Sequence, residues 1–284
     1  MPPQPATLRL VIFDLDGVVY RGNRPIPGAV ELTASLRSAG CLVRYATNNS
    51  TVTRDDYAAR LGAMGIEARA DEIVTSTWAT VEHLRLHDPE VRSVIAVGER
   101  GLLEELLRAG FDVTAARDAV SPEVDGGPPA RRFDACIVGL DRAFDYRALA
   151  GAVAAVRAGA RLIATNADVV YPNEVGSLPG AGAIVAAVAT GSGTEPVVIG
   201  KPEPGMFRLT LEAAGVAPEA SLVVGDNADA DVVAARRAGI RSLLVLTGVT
   251  PPDAVERLSG DRTPDFIAED PAAIGRLILP WVAG

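Results

Sequence analysis

LRLVIFDLDG, residues 8–17, passes from apolar to acidic within one step. Residues 8–13 are apolar apart from Arg9, the pattern of a parallel strand covered on both faces. Asp14, Leu15, Asp16 and Gly17 follow at once. Asp and Gly are ordinary turn residues after a strand, so this stretch alone leaves a turn and a site equally open.

Three more stretches repeat it. CLVRYA (41–46) runs into Thr47-Asn48-Asn49-Ser50, and PVVI (196–199) runs into Gly200-Lys201-Pro202. SLVV (221–224) runs into Gly225-Asp226, with Asp229 and Asp231 close behind. In open α/β sheets, ligands bind outside the carboxyl ends of the strands. The pattern therefore puts carboxylates, a hydroxyl and an ammonium on one sheet edge.

A joint recurs between these stretches: LRSAGCLV (36–43), LRAGFDV (107–113), VRAGARLI (156–163) and RRAGIRSLLV (236–245). Each reads as a helix closed by glycine and followed by a strand. The alternation predicts an α/β fold with a doubly wound, Rossmann-like parallel sheet. The middle carries its own small α/β unit: strand 94–97, helix 101–109, strands near 112 and at 133–138, helix 146–158 and strand 161–164. SPEVDGGPPARR (121–132) reads as an exposed loop. The expected division is a core of residues 1–82 and 183–284, with an inserted domain of 83–182.

The 284 residues are 48% hydrophobic and 22% charged, an ordinary profile for a globular chain with a sizeable core. A net charge of -9 argues against nucleic acid or an anionic membrane as partner. The N-terminus shows no signal-peptide pattern, and GAGAIVAAVATG (180–191) is too short to span a bilayer. Cys41 and Cys136 read as reduced core thiols, so a cytoplasmic protein is expected. Lys201 is the only lysine; the other 26 basic residues are arginine.

Asp14, Asp16 and Asp226 would repel one another, and some would take up protons unless a cation joined them. Carboxylates, a backbone carbonyl and waters form the oxygen shell that Mg²⁺ prefers. Thr47 and Lys201 would face the same anion from the other side. A hydroxyl, backbone N–H groups and an ammonium are what a phosphoryl group needs as its charge shifts. A carboxylate can act as the nucleophile, and a second one can serve as acid and then base.

Other chemistries lack their signatures. His83 and His87 stand four apart on a predicted helix, without HExxH or a nearby third ligand. Ser50 and Ser192 have no histidine partner in a recognisable motif. Gly200-Lys201 is followed by proline rather than Ser or Thr, so it is no P-loop, and no GxGxxG follows a strand.

Together these pieces resemble the haloacid dehalogenase-like phosphatases. The closest resemblance is to subfamily IIA with its large C2-type α/β cap, the group of NagD, p-nitrophenyl phosphatases and phosphoglycolate or glycerol-3-phosphate phosphatases. FDLDGVVYRGNRPIPGA (13–29), TNNST (47–51), TSTWATVEHL (75–84), TNAD (165–168), GKPEPGMF (200–207) and GDNADADVVAARRAG (225–239) carry it in order. The resemblance implies a nucleophile at Asp14 and a general acid and base at Asp16, whose carbonyl would bind Mg²⁺. It makes Asp14 and Asp226 metal ligands, with Asp231 steadying metal waters from behind. Thr47 and Asn48 would hold the phosphoryl oxygens, and Lys201 would neutralise nucleophile and phosphate together. Asp229 is extra to the pattern and reads as a solvent-facing or helix N-terminal charge. Asp168 is expected as a hinge or hydrogen-bond anchor. Residues 171–182 are expected near the substrate.

The implied reaction is hydrolysis of a small phosphorylated metabolite: phosphoglycolate, glycerol phosphate, a nucleotide or a sugar phosphate, with p-nitrophenyl phosphate as an artificial substrate. The resemblance also implies a homodimer through the cap. Alternatives are a phosphomutase or phosphonatase of the same fold, or a receiver-like phospho-acceptor. The large middle domain argues against the first two. An acid two residues after the nucleophile has no use in a module that only stores phosphate.

Overall fold

In a computed structural model of the chain, residues 7–119, 131–173 and 176–282 are described. Most of the loop expected at 121–132 lies outside them. The apolar run at 8–13 forms the strand Leu10–Asp14, whose first four residues are fully covered. It belongs to a six-stranded sheet ordered Phe266–Ala268, Arg241–Val245, Ser221–Gly225, Leu10–Asp14, Leu42–Thr47, Ile73–Thr75. The pairings from the first of these strands to the fifth are parallel.

The chain winds outward in both directions from Leu10–Asp14. One neighbouring strand follows soon after it in sequence, and the other comes some two hundred residues later. This is a topological switch point, where the carboxyl ends of the strands leave a crevice. Register aligns the edge: Asp14 lies opposite Ala46, and Phe13 lies opposite Val224. Asp14, Thr47 and Asp226 therefore leave the sheet side by side. Helices Ala29–Ser38 and Pro271–Val282 pack together and bury Leu32, Leu36, Ile274 and Ile278.

A second sheet has five strands, ordered Val197–Val198, Arg161–Ala164, Ala135–Val138, Ser93–Val97, Asp112–Ala115, all parallel. Its core joins Ile95, Cys136 and Leu162 to Ala152, Ala155, Ile184 and Val188 of the helices Tyr146–Arg157 and Ala181–Ser192. At the recurring helix–strand joint, Gly40, Gly110, Gly159 and Gly239 have φ of 85°, 92°, 108° and 76°, the left-handed turn the sequence calls for.

One expectation is corrected. PVVI supplies Val197–Val198 to the five-stranded sheet, not to the sheet that carries Asp14. Only three of the four apolar stretches thus end on one sheet edge. The described residues group into two compact units. One unit comprises Met1–Thr47, Arg54–Val74 and Lys201–Gly284, and the other Asn48–Thr53 and Thr75–Gly200. The expected junctions fall inside the helices Ser76–His87 and Ala181–Ser192. Ser76 Oγ donates to the Asn48 carbonyl at 2.6 Å, and Ile184, Val185 and Val188 are buried in the second core. Both helices therefore go with the second unit.

Candidate active site

Three carboxylates meet at the crevice of the first unit. Oxygens of Asp14, Asp226 and Asp231 all lie within 4.8 Å of one another. Lys201 is buried among them, and its Nζ donates to Asp14 Oδ1 at 2.5 Å and to Asp231 Oδ1 at 2.6 Å. Asp14 ends its strand, Asp226 directly follows the strand Ser221–Gly225, and Asp231 sits in the π turn Ala228–Val232 that leads into helix Val233–Ala238. The backbone N–H of Asn227 donates to Asp231 Oδ2 at 3.1 Å and fixes that side chain.

Glycine makes room for Asp226. A Cβ on Gly248 would stand 1.7 Å from Asp226 Oδ2, and one on Gly17 would stand 2.3 Å away. Gly17 also has φ of 81°, where other residues are strained. The N–H of Val249 donates to Asp226 Oδ2 at 2.7 Å. The carboxylate is held by backbone on a loop that no larger residue could form unchanged.

Three acids against one ammonium leave buried negative charge uncompensated. Burial drives the Asp14 carboxyl well above its usual range; Lys201 pulls it down, and Asp231 and Asp226 push it further up. Burial, reinforced by Asp231, raises Asp226 to about 7. Lys201 is held well above the ordinary lysine range: burial opposes its charge, and Asp14 and Asp231 outweigh that opposition. A hard divalent cation among these oxygens would cancel the repulsion, and an all-oxygen donor set suits Mg²⁺ rather than a soft metal.

Asp16 stands apart from the trio. Its side chain is exposed, yet partial burial raises its carboxyl against the pull of Arg60, the Tyr20 hydroxyl and Lys201. Tyr20 donates to Asp16 Oδ2 at 3.4 Å. Thr47 is buried at the end of its strand, one residue beyond Ala46, which lies opposite Asp14. Asn48 lies in the second unit, where its amide donates to both oxygens of Asp168 at 3.1 Å. Asn166 Nδ2 donates to the Asn48 carbonyl at 2.8 Å, and Gly200 packs so closely that a Cβ would stand 2.6 Å from Asn48 Oδ1. Asp168 is thus a hydrogen-bond anchor, for Asn48. Asp231, expected behind the metal ligands, has its carboxylate in the cluster itself. Asp229 is exposed, 3.5 Å from Arg262.

Sequence reasoning assigned no role to Tyr20, Arg60, Ser76 or Asn166. The motifs FDLDGVVYRGNRPIPGA, TSTWATVEHL and TNAD do contain Tyr20, Ser76 and Asn166. The rings of His83 and His87 lie 4.7 Å apart, and no third ligand completes a cluster there among the described residues. Burial pushes Cys41 up to about 11 and Cys136 up to about 12, so neither offers a thiolate near neutral pH.

Residues 11–112 match the family model described as haloacid dehalogenase-like hydrolase, and residues 198–273 match a HAD-hydrolase-like model. An acid sugar phosphatase of Staphylococcus saprophyticus is 37% identical over 255 residues, which are 90% of this chain and 93% of that one. A 4-nitrophenylphosphatase of Thermotoga maritima superposes with a TM-score of 0.84 at 31% identity, covering 96% of this chain and 98% of its own. A glycerol phosphate phosphatase of Mycobacterium tuberculosis, solved in complex with magnesium, gives 0.83 at 32% identity, covering 96% and 78%. The chain belongs to the haloacid dehalogenase-like hydrolases, and its six-stranded sheet, parallel from Phe266–Ala268 to Leu42–Thr47, is their Rossmann-like core.

Proposed function

We propose that the chain is a Mg²⁺-dependent phosphatase of small phosphate monoesters that works through an aspartyl-phosphate on Asp14. One observation carries this: a buried ammonium bridges Asp14 and Asp231 inside a three-carboxylate cluster at the switch point of the sheet. The family resemblance and the named activities of the relatives support it.

In this reading an Asp14 carboxylate oxygen attacks phosphorus, and the bond from phosphorus to the ester oxygen breaks. Asp16 gives its proton to that leaving oxygen. Asp16 then takes a proton from water, whose oxygen attacks phosphorus and releases inorganic phosphate from Asp14. Lys201 balances charge on the nucleophile, and the Thr47 hydroxyl donates to the phosphoryl group. Asn48 is kept beside Thr47 as a contact of the phosphoryl oxygens. Asp14, Asp226 and the Asp16 carbonyl would hold Mg²⁺, with Asp231 beside them. When bound, the ion supplies charge neutralisation for the nucleophile and the phosphoryl oxygens.

Substrate choice is assigned to the second unit, proposed as the cap, because the first unit supplies all of this machinery except Asn48. A sugar phosphate, glycerol phosphate, phosphoglycolate or a nucleotide fits the reading. A homodimer through the second unit is part of it, since Val169, Val170 and Leu178 stand exposed there. No helix among the described residues is long and apolar enough to cross a membrane, and we keep a cytoplasmic location. The test is phosphate release from p-nitrophenyl phosphate with Mg²⁺ and with EDTA. Release that persists in EDTA overturns the reading.

Two further results are expected. Gly248→Ala should force the Asp226 loop to shift and raise the Mg²⁺ concentration for half-maximal activity about tenfold, roughly 1.4 kcal/mol of binding. A Mg²⁺ titration checks this, and an unchanged midpoint would refute the crowding argument. The second result concerns pH. Asp226 keeps its proton to about 7 when folded and releases it near 4 when unfolded. The folded chain binds more protons across that window, so without metal its stability falls as pH rises from about 4 to about 7. The gain in Tm on adding Mg²⁺ should therefore be larger at pH 8 than at pH 5. Equal gains would contradict it.

A further inference from the structure

Asp16 must present its carboxyl to a leaving oxygen, yet it is the most exposed acid of the site. Two side chains of the same unit reach toward it. Tyr20 is wholly buried, and its hydroxyl donates to Asp16 Oδ2 at 3.4 Å. Arg60, on helix Arg54–Ala63, approaches the same phenol oxygen with Nη1 at 3.5 Å. Its guanidinium stacks on the Tyr20 ring, 4.3 Å from the centroid. Its Nη2 donates to the Gly22 carbonyl at 2.6 Å, which ties Arg60 to the turn after Tyr20. Backbone bonds close the loop between acid and phenol: Gly17 N–H to Tyr20 O at 2.9 Å, and Tyr20 N–H to Leu15 O at 3.2 Å.

The donors all point one way, from guanidinium to phenol to carboxylate. A buried hydroxyl without a partner is costly, so a phenol where phenylalanine would pack as well implies use of its oxygen. Successive hydrogen bonds polarise one another away from bulk water. At 3.4 Å the last contact is long; it orients the carboxyl without locking it.

We propose that Tyr20 and Arg60 are positioning residues that aim the Asp16 carboxyl at the leaving-group oxygen. This rests on the phosphatase reading above. Its signature is a dependence on the leaving group. General-acid help matters most when the departing oxygen is strongly basic. Phenolate, with a conjugate acid near pKa 10, needs the proton far more than p-nitrophenolate does.

The experiment compares kcat/KM for phenyl phosphate and p-nitrophenyl phosphate, two esters of nearly the same shape. kcat/KM reports only the steps up to formation of the aspartyl-phosphate, so the later work of Asp16 as base does not blur it. Tyr20→Phe keeps the ring and its stacking. It should lower kcat/KM for phenyl phosphate about tenfold, a fraction of the roughly 10²–10⁴-fold that a general acid supplies. The p-nitrophenyl ester should lose less than about twofold. Arg60→Gln should show the same split, and it decides the matter if Tyr20→Phe melts early. Equal losses on both esters would make the pair merely structural, and no loss on phenyl phosphate would remove the role altogether; either result overturns the inference. If the wild type hydrolyses neither ester, the phosphatase reading has failed and takes this inference with it.

Discussion

Asp14→Asn should fold as the parent does and lose about 10⁴-fold or more of its turnover, the scale of deleting a nucleophile. An amide of the same shape removes the attacking oxygen anion and one charge from an overcrowded cluster. Lys201 keeps Asp231 as a partner at 2.6 Å, so no buried ammonium is stranded. The melting temperature in EDTA should therefore hold or rise while p-nitrophenol release stops. A variant that melts much earlier would leave the activity loss uninformative about chemistry. One that stays folded and active would remove Asp14 as nucleophile.

Lys201→Met should cost about 3–5 kcal/mol of stability at pH 8 in EDTA, the range for deleting one partner of a buried ion pair. Its side chain is 5% exposed, and methionine would leave Asp14 and Asp231 facing each other without a counter-charge. The loss should shrink at pH 5, where raised carboxyls hold protons and repel less. The lysine does not complicate that comparison. A raised amine contributes its full stability below its unfolded pKa of about 10.4, so both pH values lie on the plateau. Urea unfolding measures it, and a loss that is the same at both pH values would contradict the account. Lys201→Arg should fold but lose most activity, because a planar fork cannot reproduce a compact point charge between two carboxylates. That would explain why one lysine stands among 26 arginines. Retained activity would refute it.

Much of the fold is legible in local sequence because period and punctuation are local. The apolar runs before Asp14, Thr47 and Asp226 are parallel core strands, and the glycine joints fall where the pattern puts them. PVVI looks the same and joins the other sheet. Nothing within its four residues distinguishes the partners, because the choice is made by Ile163 and Ala164, its register partners, more than thirty residues away. Asp14, Asp226, Asp231 and Lys201 were visible because each follows a strand or carries a motif. Their mutual distances were not. Asn48 beside Thr47 reads as a phosphate contact, but its amide answers to Asp168, 120 residues on. Tyr20 and Arg60 lacked any signal of their own: an aromatic after a strand and an arginine on a helix are most often packing and solvent.

The six residues Asn48–Thr53 follow the second unit although they are flanked on both sides by the first. The chain therefore passes from one unit to the other at 47/48, 53/54, 74/75 and 200/201. An ancestor that acquired the second unit as a single inserted cassette would show two such passages. The short piece is held by the second unit's own contacts: Gly101 N–H donates to the Thr51 carbonyl at 3.0 Å, and a Cβ on Gly101 would stand 2.4 Å from the nitrogen of Val52. Exchange of this module between relatives would have to carry two separate stretches of gene together. Transplanting 75–200 alone would seat a foreign Gly101 region against a native 48–53.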